Sequence, residues 1–395
     1  MCGGGALRAE TSGPPDEWID KDTGHKVIRL SRREGNNSVF YFHQNAFTAR
    51  GDKMVFVGST PSGHRAFTVD LRSLEIRQIG SERSGDHDVV APKRRELFYL
   101  SGDRVVATHL DTGRTRTIAD VPPHYKYGRG LSINADETLL AGCYAKGEEE
   151  YYRKYPYKVW AKTLHKANLP NALYTVDIET GRVNEFHKQT TWFGHVQFSP
   201  TDPTLIMFCH EGPERELDRI WLIRTDGTGL RSIHPRTVQD DFVTHEFWHP
   251  DGASIWFDLQ LPRPPGEGAV EGALAWARGP HYYLANFDLR TGKETRYPLK
   301  ALEYCWHYNV SPDGGMLCGD GEGRDPWRGD VGKWIYLFVR EGERLRTERL
   351  CNLNRHDYHV APNTRFTPDG QWVVFQANLH GSVQVYAVGV RRHGS

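Results

Sequence analysis

Short apolar runs recur along the whole chain, each bounded by Pro, Asp, Gly, Ser or Thr. The clearest cover residues 54–58, 96–100, 139–143, 205–209, 254–259 and 372–377. Most follow a turn string, such as Trp248-His249-Pro250-Asp251-Gly252, Ser311-Pro312-Asp313-Gly314 or Thr367-Pro368-Asp369-Gly370. A later run often closes on Asp and a Thr-Gly turn, as at Asp111-Thr112-Gly113 and from Asp288 to Thr291-Gly292. Runs this short between turn formers predict β-strands rather than helices.

The unit repeats seven times. Turn positions at 50, 92, 135, 200, 250, 312 and 368 stand 42 to 65 residues apart. A four-stranded propeller blade takes about 40–50 residues, so the longer spacings carry insertions. The pattern predicts an all-β, seven-bladed β-propeller. The last unit has only three strands, and the apolar segment 26–31 belongs to no unit. That N-terminal strand is expected to complete the last blade and close the ring, which leaves few open strand edges. The propeller domain is expected over 25–392, after a leader segment 1–24.

Composition agrees: Gly (40), Pro (22) and aromatics (12%) are plentiful and apolar residues make up only 38%. Fifty Lys+Arg balance fifty Asp+Glu, which excludes a globally basic nucleic-acid binder but not a local patch. No run is long and apolar enough to span a membrane as a helix. Six Cys without a Cys-x-x-Cys pair read as a reduced compartment or as thiols buried in strands. The opening Met1-Cys2-Gly3-Gly4-Gly5 fits either a lipoprotein-type mature end or chance, so a cytoplasmic and a periplasmic location both stay open.

In a propeller the first strand of each blade lines a central channel. Counting five residues back from each turn gives Asn45, His87, Gly130, His195, His245, His307 and Asn363. Four of these seven are His, where 19 His in 395 residues would place fewer than one. Polar residues at strand starts can simply satisfy loop backbones, and one His would carry that reading. Four at one register point to a site. Neutral imidazoles beside carboxamides suit a general base, a metal ligand or a binder of anionic oxygens.

One motif is a decoy and another is weak. His245-Glu246-Phe247-Trp248-His249 satisfies the HExxH zinc-protease pattern, which requires a helix to bring both histidines to one ion. On a strand, residues four apart lie about 13 Å from each other. The run Gly319-Asp320-Gly321-Glu322-Gly323 follows a strand but opens no helix, so it lacks the context of a dinucleotide fingerprint. The segment 148–167, dense in Tyr, Lys and Arg, reads as a short helix or lid over the channel mouth, or as a solvated insertion. Its side chains suit sugar rings and carboxylates, or nucleic acid.

Trp192-Phe193-Gly194-His195, Phe208-Cys209-His210-Glu211-Gly212-Pro213, Asp218-Arg219-Ile220-Trp221-Leu222 and Thr244-His245-Glu246-Phe247-Trp248 resemble the oligogalacturonate lyases. Tyr41-Phe42, Phe47-Thr48, Leu317-Cys318-Gly319-Asp320-Gly321 and Arg365-Phe366-Thr367-Pro368 support the resemblance nearly end to end. It implies β-elimination at uronic acids: a base removes the C5 proton once the carboxylate is neutralised, and the C4 oxygen leaves.

By motif, His245 matches the family's base and Arg219 its partner for the substrate carboxylate. The other ring residues and their neighbours, His43, Asn45, His195, His210, His307 and Asn363, are the expected substrate-binding set. His87 becomes the base if the substrate is a glucuronate linkage of rhamnose–glucuronate or ulvan type. The expected partner is an acidic oligosaccharide, with no nucleic acid.

The resemblance also implies a divalent metal, Mn or Ca, held by three His and one Gln. His307 matches one ligand, but Tyr358, Ala361 and Asn363 stand at the other positions. A non-catalytic glycan-binding propeller is an alternative, whereas a mere propeller scaffold has no need of the histidines. A prolyl-peptidase-type propeller needs a nucleophile elbow, and no Gly-x-Ser-x-Gly occurs.

Overall fold

The computed structural model describes residues 14–394, apart from 86, 128–129, 156–162, 214, 263–279 and 322–332. The opening Met1–Gly5, the middle of the Tyr-rich segment and the end of the Gly-rich run lie outside the described residues. Among those described, strands form seven antiparallel sheets arranged as a seven-bladed propeller. Blades one to six occupy residues 37–79, 89–120, 132–189, 193–232, 242–299 and 308–352, with four strands each in consecutive order.

The seventh blade joins both ends of the chain. Arg365–Phe366, Trp372–His380 and Ser382–Arg392 come from the C-terminal end, and His25–Arg29 pairs with the last of them. Ring closure by an N-terminal strand is therefore observed, four residues of it within the expected 26–31 segment. Glu17–Ile19, upstream of residue 25, adds a fifth strand at the outer edge by pairing with residues 26–28.

The recurring turns show why the motif works. In Thr367-Pro368-Asp369-Gly370 the Thr hydroxyl accepts from Trp372 N at 3.1 Å and Asp369 Oδ1 accepts from Gln371 N at 3.0 Å. Gly252, Gly314 and Gly370 take the left-handed backbone (φ 68°, 74° and 67°) that reverses the chain there, a conformation cheap only for glycine.

The core is a series of apolar layers between neighbouring sheets. Phe98 and Val105 of blade two meet Leu140 and Tyr174 of blade three. Met207 and Leu222 of blade four meet Val243 and Phe257 of blade five. Blade seven closes onto blade one through Val374 and Val385 against Val55 and Phe56. Each fully buried Leu, Val or Phe contributes about 1.5–3 kcal/mol, so both faces of most sheets are apolar. Cys143, Cys209, Cys318 and Cys351 are buried free thiols on strands, and Cys305 is one in a loop.

The first strands of neighbouring blades touch one another around the axis. Their side chains also link across: Ser132 Oγ accepts from Phe198 N at 2.9 Å, and Gln197 Nε2 donates to Glu246 O at 2.8 Å. Side chains at the channel thus satisfy backbone groups of the neighbouring blade's inner strand. No helix among the described residues is long and apolar enough to cross a membrane.

Candidate active site

Bulges in the inner strands aim the site. In blade four the pairing register slips between Gly194 and Gln197, and in blade five between Thr244 and Phe247. Within these slips His195 and His245 adopt φ of +46° and +41°. A left-handed conformation costs a non-glycine residue roughly 1 kcal/mol or more, and bulges re-aim side chains next to active sites. Gly130 and Asn363, at the same register in blades three and seven, share the conformation (φ +84° and +53°). The HExxH segment is a strand, Phe242–Trp248. His249 lies past its end, paired with Asp251 Oδ1 at 2.7 Å and away from the cluster.

Tyr41, from the loop before blade one's long strands, sits at the centre of the histidines. Its ring centroid lies 5.2 Å from that of His43, 5.4 Å from those of His87 and His195, and 5.5 Å from that of His307. Phe42 packs between His245 and His307, at 5.7 and 5.1 Å. Arg365 holds this plug in place, its guanidinium donating to the carbonyls of Phe40, Tyr41 and Gln44. Burial lowers Arg365 to about 9.

His245 is the most base-like group. Its side chain is largely buried, with Nδ1 3.6 Å from Asp258 Oδ1. Asp258 is fully buried, and its other oxygen accepts from Thr244 Oγ1 at 2.6 Å and from the Tyr304 hydroxyl. Burial, reinforced by His307 at a ring distance of 4.5 Å, lowers the His245 imidazole to about 4 against the pull of Asp258. It is therefore neutral, and able to accept a proton, at physiological pH. Trp306, unusually exposed for an indole, stands 5.5 Å from the same ring.

His307 donates through Nδ1 to buried Asp320, 2.6 Å away, which also accepts from its backbone N–H. Asp320 lies in the Gly-rich run, whose role is thus to orient a histidine.

Arg219 is buried and already paired: Nε donates to Glu246 Oε2 at 3.0 Å and Nη1 to Glu211 Oε2 at 3.3 Å. Burial opposes the charge of Glu246, yet Arg219 and His195 hold its carboxyl well below the usual range. Glu211 is the more exposed of the two Arg219 partners, and Glu246 is fully buried.

The other expected site residues divide. His43 is 5.2 Å from His195, and burial keeps it neutral. Asn45 uses its amide on backbone, donating to Phe47 O and Val90 O at 2.8 and 2.9 Å. His210 stacks on Trp221 and Phe193, at 4.7 and 5.8 Å, instead of joining the cluster, and burial lowers it to about 4. Asn363 donates its backbone N–H to Asp320 at 3.3 Å, and its buried Oδ1 has no partner among the described residues. Tyr41, Glu211, Glu246, Asp258 and Asp320 were not expected. Asp258 could have been found as a lone carboxylate inside the apolar run 254–261, since a buried charge needs a partner.

Two groups of residues bear on a metal. His195, Cys209 and Glu246 bring ligand atoms within 4.8 Å of one another. Burial pushes the Cys209 thiol well up, so it keeps its proton, and Arg219 already fills the position of a cation there. At the positions implied by the resemblance, His307 pairs with Asp320 through Nδ1, Asn363 Oδ1 has no partner among the described residues, Tyr358 donates to the Asp320 carbonyl at 3.4 Å, and Ala361 has no ligand atom to offer. These residues do not fit a three-His, one-Gln set.

A family model described as oligogalacturonate lyase matches residues 16–262. The chain belongs to the oligogalacturonate lyase family. It is 27% identical to an oligogalacturonide lyase of Pectobacterium atrosepticum over 94% of this chain and 95% of that protein. An oligogalacturonate lyase of Dickeya dadantii is 25% identical over the same shares. Among solved structures, an oligogalacturonate lyase in complex with manganese superposes with a TM-score of 0.80 at 24% identity, covering 95% of this chain and 96% of that one. At that identity the superposition speaks for the fold.

Proposed function

We propose that this protein is a carbon–oxygen lyase that cleaves oligogalacturonate-type acidic oligosaccharides by β-elimination. Family membership and the names of the two curated relatives support the reaction class. The observation that carries it is His245: a neutral imidazole in the channel, backed by the buried Asp258 carboxylate.

In this reading Nε2 of His245 takes the C5 proton while Asp258 stabilises the imidazolium that forms. Arg219 neutralises the substrate carboxylate, with Glu211 displaced as its exchangeable counter-ion. That pairing makes the C5 hydrogen acidic enough to leave. His43, His87 and His307 bind the sugar hydroxyls, and Trp306 offers an indole face for a neighbouring ring. Asn45 and His210 support the walls.

The test is ultraviolet absorbance of the new C4=C5 double bond with a panel of galacturonate, glucuronate and ulvan oligosaccharides. Absorbance gained on galacturonate oligomers is the expected result. Binding of all three without any gain would replace the lyase with a sugar-binding propeller.

A further inference from the structure

The proposed elimination needs a second proton-transfer group. In a galacturonide chair the C4 oxygen and the C5 hydrogen point to opposite faces. A base that removes the hydrogen is therefore on the wrong side to protonate the departing oxygen. An alkoxide of a sugar is a poor leaving group, so general-acid help is worth on the order of 10²–10⁴ in rate.

Tyr41 and His195 form a hydrogen-bonded pair with a carboxylate behind it. Glu246 Oε1 lies 2.8 Å from His195 Nδ1, and Tyr41 Oη lies 3.3 Å from Nε2 of the same ring. A carboxylate can only accept, so Nδ1 carries a hydrogen and Nε2 faces the phenol. The 3.3 Å approach of Arg219 Nη2 to Nδ1 is then a contact, not a donated bond. Glu211 Oε1, 3.7 Å from Nε2, gives the ring a carboxylate on each side when it carries both protons. Tyr41 is half-buried among the histidines and its hydroxyl meets His195 of blade four, whereas His245 stands on blade five with its ring centroid 6.1 Å from that of His195.

We infer that the Tyr41–His195 pair is the proton donor to the departing C4 oxygen, a role that rests on the lyase reading above. His245 takes the C5 hydrogen as a proton, and the C5–H electron pair becomes the C4=C5 bond. The C4–O bond breaks with its pair on oxygen, which receives the Tyr41 hydroxyl proton as His195 Nε2 passes its own proton to Tyr41. The pair ends as a neutral phenol donating to a neutral imidazole. Solvent restores the proton to His195 and removes one from His245, so the cycle balances.

The test compares two substrates: an oligogalacturonate, and a synthetic galacturonide whose C4 substituent leaves as a nitrophenolate, which needs no proton. Tyr41→Phe keeps the ring contacts. It should lower kcat on the oligogalacturonate by about 10²–10³ and leave the nitrophenolate substrate within about fivefold, with KM little changed. Equal loss on both substrates, or loss on neither, overturns the proposal. In the wild-type protein, independently of any variant, rates across a series of C4 leaving groups should depend only weakly on leaving-group basicity. A steep dependence overturns it as well. If the wild type eliminates neither substrate, the lyase reading itself fails, a separate outcome.

Discussion

Asp258 stands 3.6 Å behind Nδ1 of His245, on the neighbouring strand of the same blade, with its other oxygen held by Thr244 and Tyr304. The carboxylate is completely buried, so its position relative to the imidazole is set by packing rather than by solvent. The separation is slightly longer than a hydrogen bond.

This relationship gives the first prediction. His245→Ala should lower kcat/KM by about 10²–10⁴, the size of a general-base contribution. Asp258→Asn should lower it by about 10–10³, because the amide keeps the bonds to Thr244 and Tyr304 but cannot stabilise an imidazolium. Steady-state kinetics with a melting curve for each variant checks both. Full activity in a folded His245→Ala protein would move the base elsewhere, with His87 the next to examine.

The second prediction concerns pH. An unperturbed histidine base loses activity below about 6.5, whereas burial and His307 lower His245 to about 4. The base works only when neutral, so its protonation should cost no kcat/KM as pH falls from 7 to 5 and should appear as a falling limb only near 4. A limb at 6 to 7 in the wild type, absent in Asp258→Asn, would show that Asp258 outweighs burial.

The propeller was legible because its signals are local. Turn strings, strand lengths and the Asp-to-Thr-Gly corners each sit within a few residues, and their spacing counts the blades. The ring of His87, His195, His245 and His307 was legible for the same reason, since one register repeats in every blade.

What surrounds each histidine was not. Asp320 reaches His307 from the end of the next strand, Glu246 reaches His195 from the next blade, and Tyr41 meets three of the ring histidines from a loop in another blade. Such pairings depend on bulges and loop paths that no periodicity records. Asn45 and His210 illustrate the converse. They hold expected positions, yet backbone and aromatic neighbours claim their polar atoms and rings.

A third prediction follows from the residues at the family's metal positions. Ala361 offers no ligand, and Tyr358 is engaged with the Asp320 carbonyl. Exhaustive treatment with a chelator should therefore reduce turnover less than about tenfold, since affinity falls steeply when ligands are lost. Elemental analysis finding one Mn or Ca per chain, with activity abolished on its removal and restored on its return, would contradict this.

The last prediction lies outside the site, where His234 joins two blades. It follows the outer strand Arg231–Ser232 of blade four. Its Nε2 lies 3.1 Å from Asp241 Oδ2, just before blade five's inner strand, and its Nδ1 lies 2.5 Å from Glu294 Oε2 on that blade's outer strand. Arg296 shares Glu294 through its other oxygen at 2.6 Å. Burial opposes a charge on His234, but Asp241 and Glu294 raise it to about 9. The folded value exceeds the unfolded one of about 6.5. The added stability is thus fully present below about 6.5 and is lost as pH rises through about 9. Melting temperature should fall progressively over that interval in the wild type. His234→Gln should cost about 3–5 kcal/mol, the usual consequence of leaving a buried carboxylate without its partner, and should flatten the pH dependence between 7 and 9. A variant as stable as the wild type at pH 7, or one with an unchanged slope, would show that the two blades are held together by their apolar layer alone.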